Sequence, residues 1–304
     1  MDFHFTEYQA TVESAVIALA DRHRAVPVHQ ASFHLYGDAL DEEIAASGFH
    51  QVLQDVELGT VTAVGVIMEI AKVPASVEIM ASTLIRPTFC PDVPRPLALI
   101  DRPDRPVRFL PHAKSALLLD GDKVSLIELG AGDVTPVESL FAYPYGTLSK
   151  SALARAKPIK ADANELRRLW QVGMAAEICG ALDAALALTT DYVTQRHQFG
   201  KALGSFQAVQ HRLAEVAVSS HAMKWLIYRA AFSGSAEQAA LACAYAQDAA
   251  RQACYDLHQF SGANGLTLEY SLHFWTYRMK ALLSELGGAG SQGLRAADLA
   301  WGTA

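Results

Sequence analysis

The chain has 304 residues, of which 51% are hydrophobic and 19% are charged, so it can bury a large core. That composition excludes a disordered chain and is compatible with about two domains. Its 25 Lys and Arg residues stand against 32 Asp and Glu residues, a formal charge of −7, and no dense basic run stands out, which argues against a nucleic-acid partner.

The cysteines and the apolar segments indicate a protein of a reducing compartment. The four cysteines form no CxxC pair, so we expect neither a disulfide framework nor a metal site. The N-terminal segment has Asp2, Glu7 and Glu13 among its apolar residues, which is typical of an amphipathic helix and not of a signal peptide. The apolar segment 61–71 contains Glu69 and is too short to cross a bilayer. We therefore predict a cytoplasmic protein without a membrane span.

Residues 1–90 are predicted to form an N-terminal helical domain. The first helix is indicated by apolar residues that recur at helical spacing: Tyr8, Val12, Ala15, Val16 and Leu19. Asp41 is a candidate cap of a short helix that ends near Gly48. A second apolar segment reaches Pro74, and helical sequence continues to Pro87.

Residues 91–150 are predicted to form a small middle β domain. Six prolines lie between Pro87 and Pro106, which excludes long helices there. Short β-like runs follow at residues 97–100, 107–110, 116–119 and 124–129. The sequence Asp120-Gly121-Asp122 between the last two runs predicts a hairpin turn.

Residues 151–304 are predicted to form a C-terminal four-helix bundle. A long amphipathic helix starts near Asn164 and can run toward Phe199, where residues 200–205 break it. Three further helices are predicted at residues 206–232, 235–260 and 270–286, with short connections that favour an antiparallel bundle. The protein is thus predicted to be mainly α with a small β domain.

The first candidate site lies at Arg196-His197-Gln198-Phe199-Gly200 and continues at Phe206-Gln207-Ala208-Val209-Gln210. On its own, the first stretch is typical of a helix C-terminus, with cationic residues near the negative end of the dipole and a glycine cap. It also fits an anion site, because arginine offers a rigid fork for a pyrophosphate and phenylalanine an apolar face for a heterocycle. Both interpretations remain open at this point.

The second candidate site is the turn from Gln259 to Gly265, with glycines at positions 262 and 265. An ordinary helix–helix turn explains it as well as a ligand contact does. In the second interpretation, exposed backbone N–H groups and the Gln259 amide bind phosphate or ribose oxygens.

Together, in this order and within a helical bundle, these elements resemble the acyl-CoA dehydrogenase family. The positions that match its R-x-Q-F-G, F-Q-x-x-Q and Q-x-x-G-G-x-G elements are Arg196, Gln198, Phe199 and Gly200, then Phe206, Gln207 and Gln210, then Gln259, Gly262 and Gly265. Ala263 stands where the family has a second glycine. The resemblance covers most of the chain but is strong only over residues 164–280 and poor over residues 91–150.

The resemblance implies a flavoenzyme with an N-terminal helical domain, a middle β domain and a C-terminal four-helix bundle. The matched residues would hold the adenine-pyrophosphate half of the FAD of a neighbouring subunit. The implied reaction is α,β-dehydrogenation of an acyl-CoA thioester, in which a carboxylate removes the α-proton. An electron-transfer flavoprotein or a similar acceptor is implied as a partner.

Two departures from the family pattern affect the predicted role. The middle region is short and has no stretch that resembles the family's flavin-contacting strand. The expected position of the catalytic base holds Gly287, or Leu286 on another count, and Glu285 is the nearest carboxylate. Trp170 occupies the place where some members have their base.

These departures resemble the shortened subunit of heteromeric, steroid-type acyl-CoA dehydrogenases. We therefore expect a heterotetramer with a longer acyl-CoA dehydrogenase subunit, a bulky or steroid-derived acyl-CoA substrate, and a role in lipid degradation. Two alternatives remain: a complete homo-oligomeric dehydrogenase with Glu285 as its base, and a non-catalytic structural subunit without cofactor.

Overall fold

The computed structural model of the protein describes residues 5–25 and 33–302. The sequence-based expectations for residues 1–4, 26–32 and 303–304 lie outside the described residues.

The N-terminal part is helical, as predicted, up to Phe89. Its elements are α1 (Glu7–Arg22), α2 (Asp38–Ala46), a 3-10 turn (Phe49–Gln54), α3 (Gly59–Ala71), a π-helical turn (Ala81–Ile85) and α4 (Arg86–Phe89). Helix α1 begins at a capping box, in which Thr6 and Gln9 each accept a hydrogen bond from the other's backbone N–H. The predicted cap at Asp41 is wrong: Gly37 holds the cap position of α2, and Asp41 lies in its first turn, 2.6 Å from Arg95.

The middle part forms two small sheets. One contains β1 (Leu97–Ile100), β3 (Ser115–Asp120), β4 (Lys123–Glu128) and β7 (Lys157–Pro158) in the order β1-β3-β4-β7; the other contains β2 (Val107–Arg108), β6 (Tyr145–Leu148) and β5 (Val134–Val137) in the order β2-β6-β5. Strands β1 and β3 are parallel, whereas β3 and β4 form the predicted hairpin, with Gly121 at φ 59° in its turn. Strand β5 was not predicted, because it contains Pro136 and lies largely exposed.

The C-terminal part is helical, as predicted, but residues 163–302 contain five α-helices where four helices were predicted. After a short α5 (Lys150–Ala154), its helices are α6 (Ala163–Gln195), α7 (Gln207–Ser233), α8 (Ala236–Ser261), α9 (His273–Leu282) and α10 (Gly288–Trp301). The fourth predicted helix differs from the observed one, because the chain turns at Leu286 and continues as α10. Leu286 adopts φ 53°, and the glycines at 287 and 288 follow with φ 88° and 76°. We call residues 283–287 the α9–α10 turn.

Helix α6 forms the centre of the molecule. Asp162 caps it by accepting from the N–H groups of Asn164 and Glu165. By length and composition it could cross a membrane, but 72% of its most apolar segment is buried within the protein. We interpret it as a core helix, packed against α3, α7, α8 and α9.

Candidate functional site

The two motifs predicted from the sequence lie at the same end of the bundle. The Tyr192 ring, near the end of α6, lies 5.4 Å from that of Tyr270, and Asn264 Nδ2 lies 3.5 Å from the Tyr192 hydroxyl. Arg196 follows Tyr192 by one helical turn, and Gly262 precedes Asn264 by two residues. The fold therefore brings the end of α6 next to the turn that follows α8.

Helix α6 ends at Gln195, earlier than the predicted Phe199, because the chain forms a hairpin there. Strands β8 (His197–Gln198) and β9 (Lys201–Ala202) pair across Phe199 and Gly200, which adopt φ 55° and 82°. Gly200 therefore lies in a hairpin turn and is not the cap of α6, as one interpretation of the sequence had it. The hairpin holds Phe199 88% exposed, with its ring edge-on to Phe206 at 6.2 Å.

Arg196 and Gln259 have exposed side chains without a hydrogen-bond partner among the described residues. The guanidinium of Arg196 is exposed and makes no ion pair or hydrogen bond with any residue that the structure describes. Gln259 is exposed as well, and a Cβ added at Gly262 would meet no atom within 4 Å. An exposed guanidinium and an exposed aromatic face have the chemistry that a diphosphate and a flat heterocycle require, and Gly262 leaves room for a ligand to approach the backbone. We call Arg196, Phe199, Gln259 and Gly262 the exposed patch.

Other matched residues support the local structure instead. Gln210 Nε2 donates to the Gly204 carbonyl at 2.9 Å. This hydrogen bond connects the first turn of α7 with the segment that follows the hairpin. Gly265 is buried, and a Cβ there would lie 2.9 Å from Ser261 Cβ. Ala263 does not adopt a positive φ, so its backbone conformation does not require the glycine that the family has there. Gln198 and Gln207 are exposed.

A cavity of about 650 Å³ opens between the β region and the bundle, far from the exposed patch. Its lining residues include Asp101, Arg102, Arg105, Arg108, Tyr145, Trp170 and Glu285. Arg196 directly follows α6 and lies 26 residues beyond Trp170, or about 39 Å at a rise of roughly 1.5 Å per residue. The cavity and the exposed patch therefore lie toward opposite ends of one helix.

Glu285 lies in the wall of this cavity and is held by two donors. Arg108 Nε donates to its Oε1 at 2.6 Å, and Trp170 Nε1 donates to its Oε2 at 3.3 Å. Its side chain is 17% exposed. The predicted candidate base thus reaches the cavity, but its carboxylate is engaged in an ion pair.

A second carboxylate, Glu177 in the middle of α6, shares the same arginine. Arg108 Nη1 donates to Glu177 Oε1 at 3.2 Å and lies 2.9 Å from Oε2, which accepts no well-aligned hydrogen bond from the described residues. Burial raises the pKa of Glu177 to about 7, although Arg108 acts in the opposite direction. Burial by itself would lower the pKa of Arg108, but the two glutamates raise it well above its usual value.

Sequence reasoning did not find Arg108 and Glu177. Arg108 interrupts an otherwise apolar β-like run, and Glu177 stands alone among apolar residues of α6. A buried charge needs a partner, so a single charged residue within an apolar run indicates a buried ion pair or a functional site. Which partner each one has depends on the tertiary structure.

Comparison with known proteins identifies the bundle. Residues 170–295, which contain both motifs and Glu285, match the family model "Acyl-CoA dehydrogenase, C-terminal domain". This segment is an acyl-CoA dehydrogenase C-terminal domain. The family resemblance predicted from the sequence is thereby confirmed for the part of the chain from Trp170 in α6 to Arg295 in α10.

A curated relative of this acyl-CoA dehydrogenase domain shows the extent of the similarity. Acyl-CoA dehydrogenase IpdE2 of Mycobacterium tuberculosis (strain ATCC 25618 / H37Rv) is 30% identical over 179 residues, which are 55% of this chain and 56% of the relative. The matched segment spans little more than half the length of this relative and of its counterpart in Mycolicibacterium smegmatis (strain ATCC 700084 / mc(2)155).

Solved structures with the same fold cover the whole chain. The ChsE4-ChsE5 complex from Mycobacterium tuberculosis matches with a TM-score of 0.80 and 21% identity over 100% of both chains. The Tcur3481-Tcur3483 steroid ACAD variant matches with a TM-score of 0.78 and 20% identity over 98% of both chains. At these identities the likeness shows the fold alone. It confirms the predicted acyl-CoA dehydrogenase-like architecture, with helical N- and C-terminal parts around a small β region.

Proposed function

We propose that this chain is one subunit of a heteromeric, FAD-dependent acyl-CoA dehydrogenase. The observation that carries the proposal is the exposed Arg196, which has no side-chain partner in residues 5–25 and 33–302, beside Phe199 and the Gly262 turn. The two-part names of the similar structures, ChsE4-ChsE5 and Tcur3481-Tcur3483, support an assembly of two different chains. The word "steroid" in the second name supports a bulky or steroid-derived acyl-CoA as the substrate.

The exposed patch would hold the adenine-pyrophosphate half of FAD. Arg196 offers two parallel N–H donors to the diphosphate, Phe199 offers its face to the adenine, and Gly262 leaves space for the ligand beside the turn. Because the patch and the chain's own cavity lie about 39 Å apart along α6, one dinucleotide does not bridge them. The patch therefore serves a cofactor whose flavin ring is held by a neighbouring subunit. That flavin, when bound, accepts hydride from the β-carbon of the acyl group.

The remaining roles fall to the partners. A longer acyl-CoA dehydrogenase subunit would supply the flavin-ring domain and the base, and an electron-transfer flavoprotein or a similar acceptor would reoxidise the flavin. We place this assembly, a heterotetramer, in the cytoplasm.

The test is a visible absorption spectrum of the chain purified alone and of its assembly with a longer relative. We expect little flavin absorbance from the lone chain and a full flavin spectrum from the assembly. Arg196→Ala should lower the flavin content of the assembly, because the diphosphate loses its charged partner. The matched control is Arg229→Ala. It removes an exposed charge from α7, about 33 Å along that helix from Gln207, the first residue of α7.

Two outcomes would favour the alternatives. If Arg196→Ala leaves the flavin content of every assembly unchanged, the chain is a structural subunit with a vestigial site. If the lone chain is strongly yellow and turns over acyl-CoA, it is a complete homo-oligomeric dehydrogenase.

The complete dehydrogenase is the second candidate because Glu285 lines a cavity of about 650 Å³. In that case Glu285→Gln should abolish turnover while flavin stays bound, and the exposed Glu269→Gln should change neither. Unchanged turnover of the Glu285 variant would exclude this residue as the base.

A further inference from the structure

Three distant segments of the chain meet at the Arg108 guanidinium. Arg108 comes from β2, Glu177 from α6 and Glu285 from the α9–α10 turn, and their side chains are only 8%, 4% and 17% exposed. One positive charge thus faces two carboxylates in a buried place. The exposed patch has no residue in this cluster, so the cluster is independent of the proposed FAD contact.

The α9–α10 turn keeps its shape through polar contacts with other elements. The Leu286 N–H donates to Asp101 Oδ2 at 3.1 Å, and Gln247 Nε2 donates to the Glu285 carbonyl at 3.1 Å. Leu286 itself adopts φ 53°, which is unfavourable for a leucine. A turn with a strained residue depends on its anchors, and the ion pair between Glu285 and Arg108 is one of them.

We propose that Glu177 is a positioning residue for Glu285, acting through the arginine that both carboxylates share. When Glu177 carries a proton, Arg108 holds the Glu285 carboxylate in the cavity wall. When Glu177 is ionised, the two carboxylates compete for Arg108 and repel each other. The hold on Glu285 then weakens, the α9–α10 turn opens more often, and the Glu285 carboxylate becomes free to enter the cavity.

The direction of the pH dependence follows because each carboxylate affects the ionisation of the other by the same free energy. The charge of Glu285 adds to the effect of burial in raising the pKa of Glu177. By linkage, ionisation of Glu177 must weaken the ionised, Arg108-bound state of Glu285 by the same free energy. Because the pKa of Glu177 is raised, the stabilisation of the closed turn is present at low pH and is lost as the pH rises through about 7.

Three other titratable side chains face Glu177. Two keep their protonation state around pH 7, and the third accepts hydrogen bonds from the backbone. From α9, the buried Arg278 remains a cation that donates to the carbonyls of Ala71 and Val73. From the loop before β6, Tyr143 remains neutral because burial raises its pKa. From the segment before the π-helical turn, Glu78 accepts backbone hydrogen bonds from Ala81 and Leu97.

Hydrogen exchange measured by mass spectrometry on the full chain, in whichever assembly it is purified, tests this proposal. Exchange of peptides spanning residues 282–288 is compared at about pH 5.5 and about pH 8.5, after correction for the intrinsic rate. In the wild-type protein, protection of the turn should fall about tenfold at the higher pH, the change that one pKa unit of coupling produces. In Glu177→Gln, protection should stay high at both pH values.

Two further variants distinguish positioning from general stability. Glu165→Gln removes a carboxylate from the same helix, where it pairs with Arg168, and should keep the wild-type pH response. Arg108→Lys keeps the charge but loses the fork, so protection of the turn should be low at both pH values. The proposal is overturned if wild-type protection does not change with pH, if Glu177→Gln responds to pH as the wild type does, or if Arg108→Lys protects the turn fully.

Discussion

A single glycine determines how closely α3 and α6 approach. A Cβ added at Gly180 would lie 2.0 Å from the Met68 carbonyl oxygen and 2.9 Å from Ala71 Cβ. The first contact is with backbone, so a rotamer change cannot relieve it. Glycine is therefore required at position 180 by the packing of the helix that carries Trp170, Glu177 and Arg196.

We predict that Gly180→Ala lowers the free energy of unfolding, because α3 and α6 must move apart. The loss should be at least the amount typical of overpacking, roughly 1–3 kcal/mol. Urea unfolding followed by circular dichroism measures the change. The matched control is Gly293→Ala in α10, where a Cβ would meet no atom within 4 Å. That control should gain about 0.5–1 kcal/mol from helix propensity. A neutral Gly180→Ala would show that α3 and α6 do not cross so closely.

At the scale of elements, the break between α9 and α10 places Glu285 in the cavity. Gln247 of α8 is fully buried and donates to the carbonyls of Leu282 and Glu285 at 2.8 and 3.1 Å. On the α10 side of the break, Gln292 Nε2 donates to the Leu286 carbonyl. Gln292 Oε1 in turn accepts a hydrogen bond from Gln171 Nε2 at 2.5 Å. Side-chain amides thus replace the backbone hydrogen bonds that a continuous helix would have made.

We predict that Gln247→Met destabilises the protein by about 1–3 kcal/mol, because the buried Leu282 carbonyl loses its side-chain donor and the Glu285 carbonyl keeps only the Gly288 N–H. Thermal unfolding by calorimetry gives the value, and exchange of residues 282–288 shows whether the loss is local. Gln252→Met on the same helix is the control, because Gln252 is exposed and its change should cost less than about 0.5 kcal/mol. Equal effects of the two substitutions would contradict the role of Gln247.

At the scale of the whole molecule, α9 joins the bundle to the N-terminal part. Arg278, fully buried, donates to the carbonyls of Ala71 and Val73 at 3.2 and 2.8 Å, and Trp275 Nε1 donates to the Lys72 carbonyl at 3.0 Å. The bonds from Arg278 place a cation at the C-terminal end of α3, which is the favourable charge for that end of a helix. We infer that the two parts unfold together.

We predict that Arg278→Met costs about 3 kcal/mol or more, because charged hydrogen bonds are lost and buried carbonyls remain unpaired. It should also separate the single unfolding transition into two, with the N-terminal part unfolding first. Urea titrations followed by near- and far-ultraviolet circular dichroism detect such a separation. Lys280→Met, which replaces an exposed cation two residues away, should leave one transition at nearly the wild-type midpoint. One unchanged transition in Arg278→Met would refute the inferred coupling.

The sequence by itself determined the order of the helical, β and helical parts and the two separate motifs whose residues form the exposed patch. Helix α6 and the β3–β4 hairpin follow from local patterns, namely helical spacing of apolar residues and a turn at Gly121. Arg196 and Phe199 were recognisable because they belong to one short, contiguous motif. Such features depend on neighbours along the chain, which the sequence displays directly.

Only the tertiary structure decided what happens at the cavity. Arg108 meets Glu177 and Glu285 from 69 and 177 residues away, and no local pattern encodes those pairings. The break at Leu286 is likewise set by the amide donors of Gln247 and Gln292, which reach it from other helices. Buried charges and unpaired carbonyls are satisfied by whatever the fold brings near them, so their partners become known only once the chain is packed.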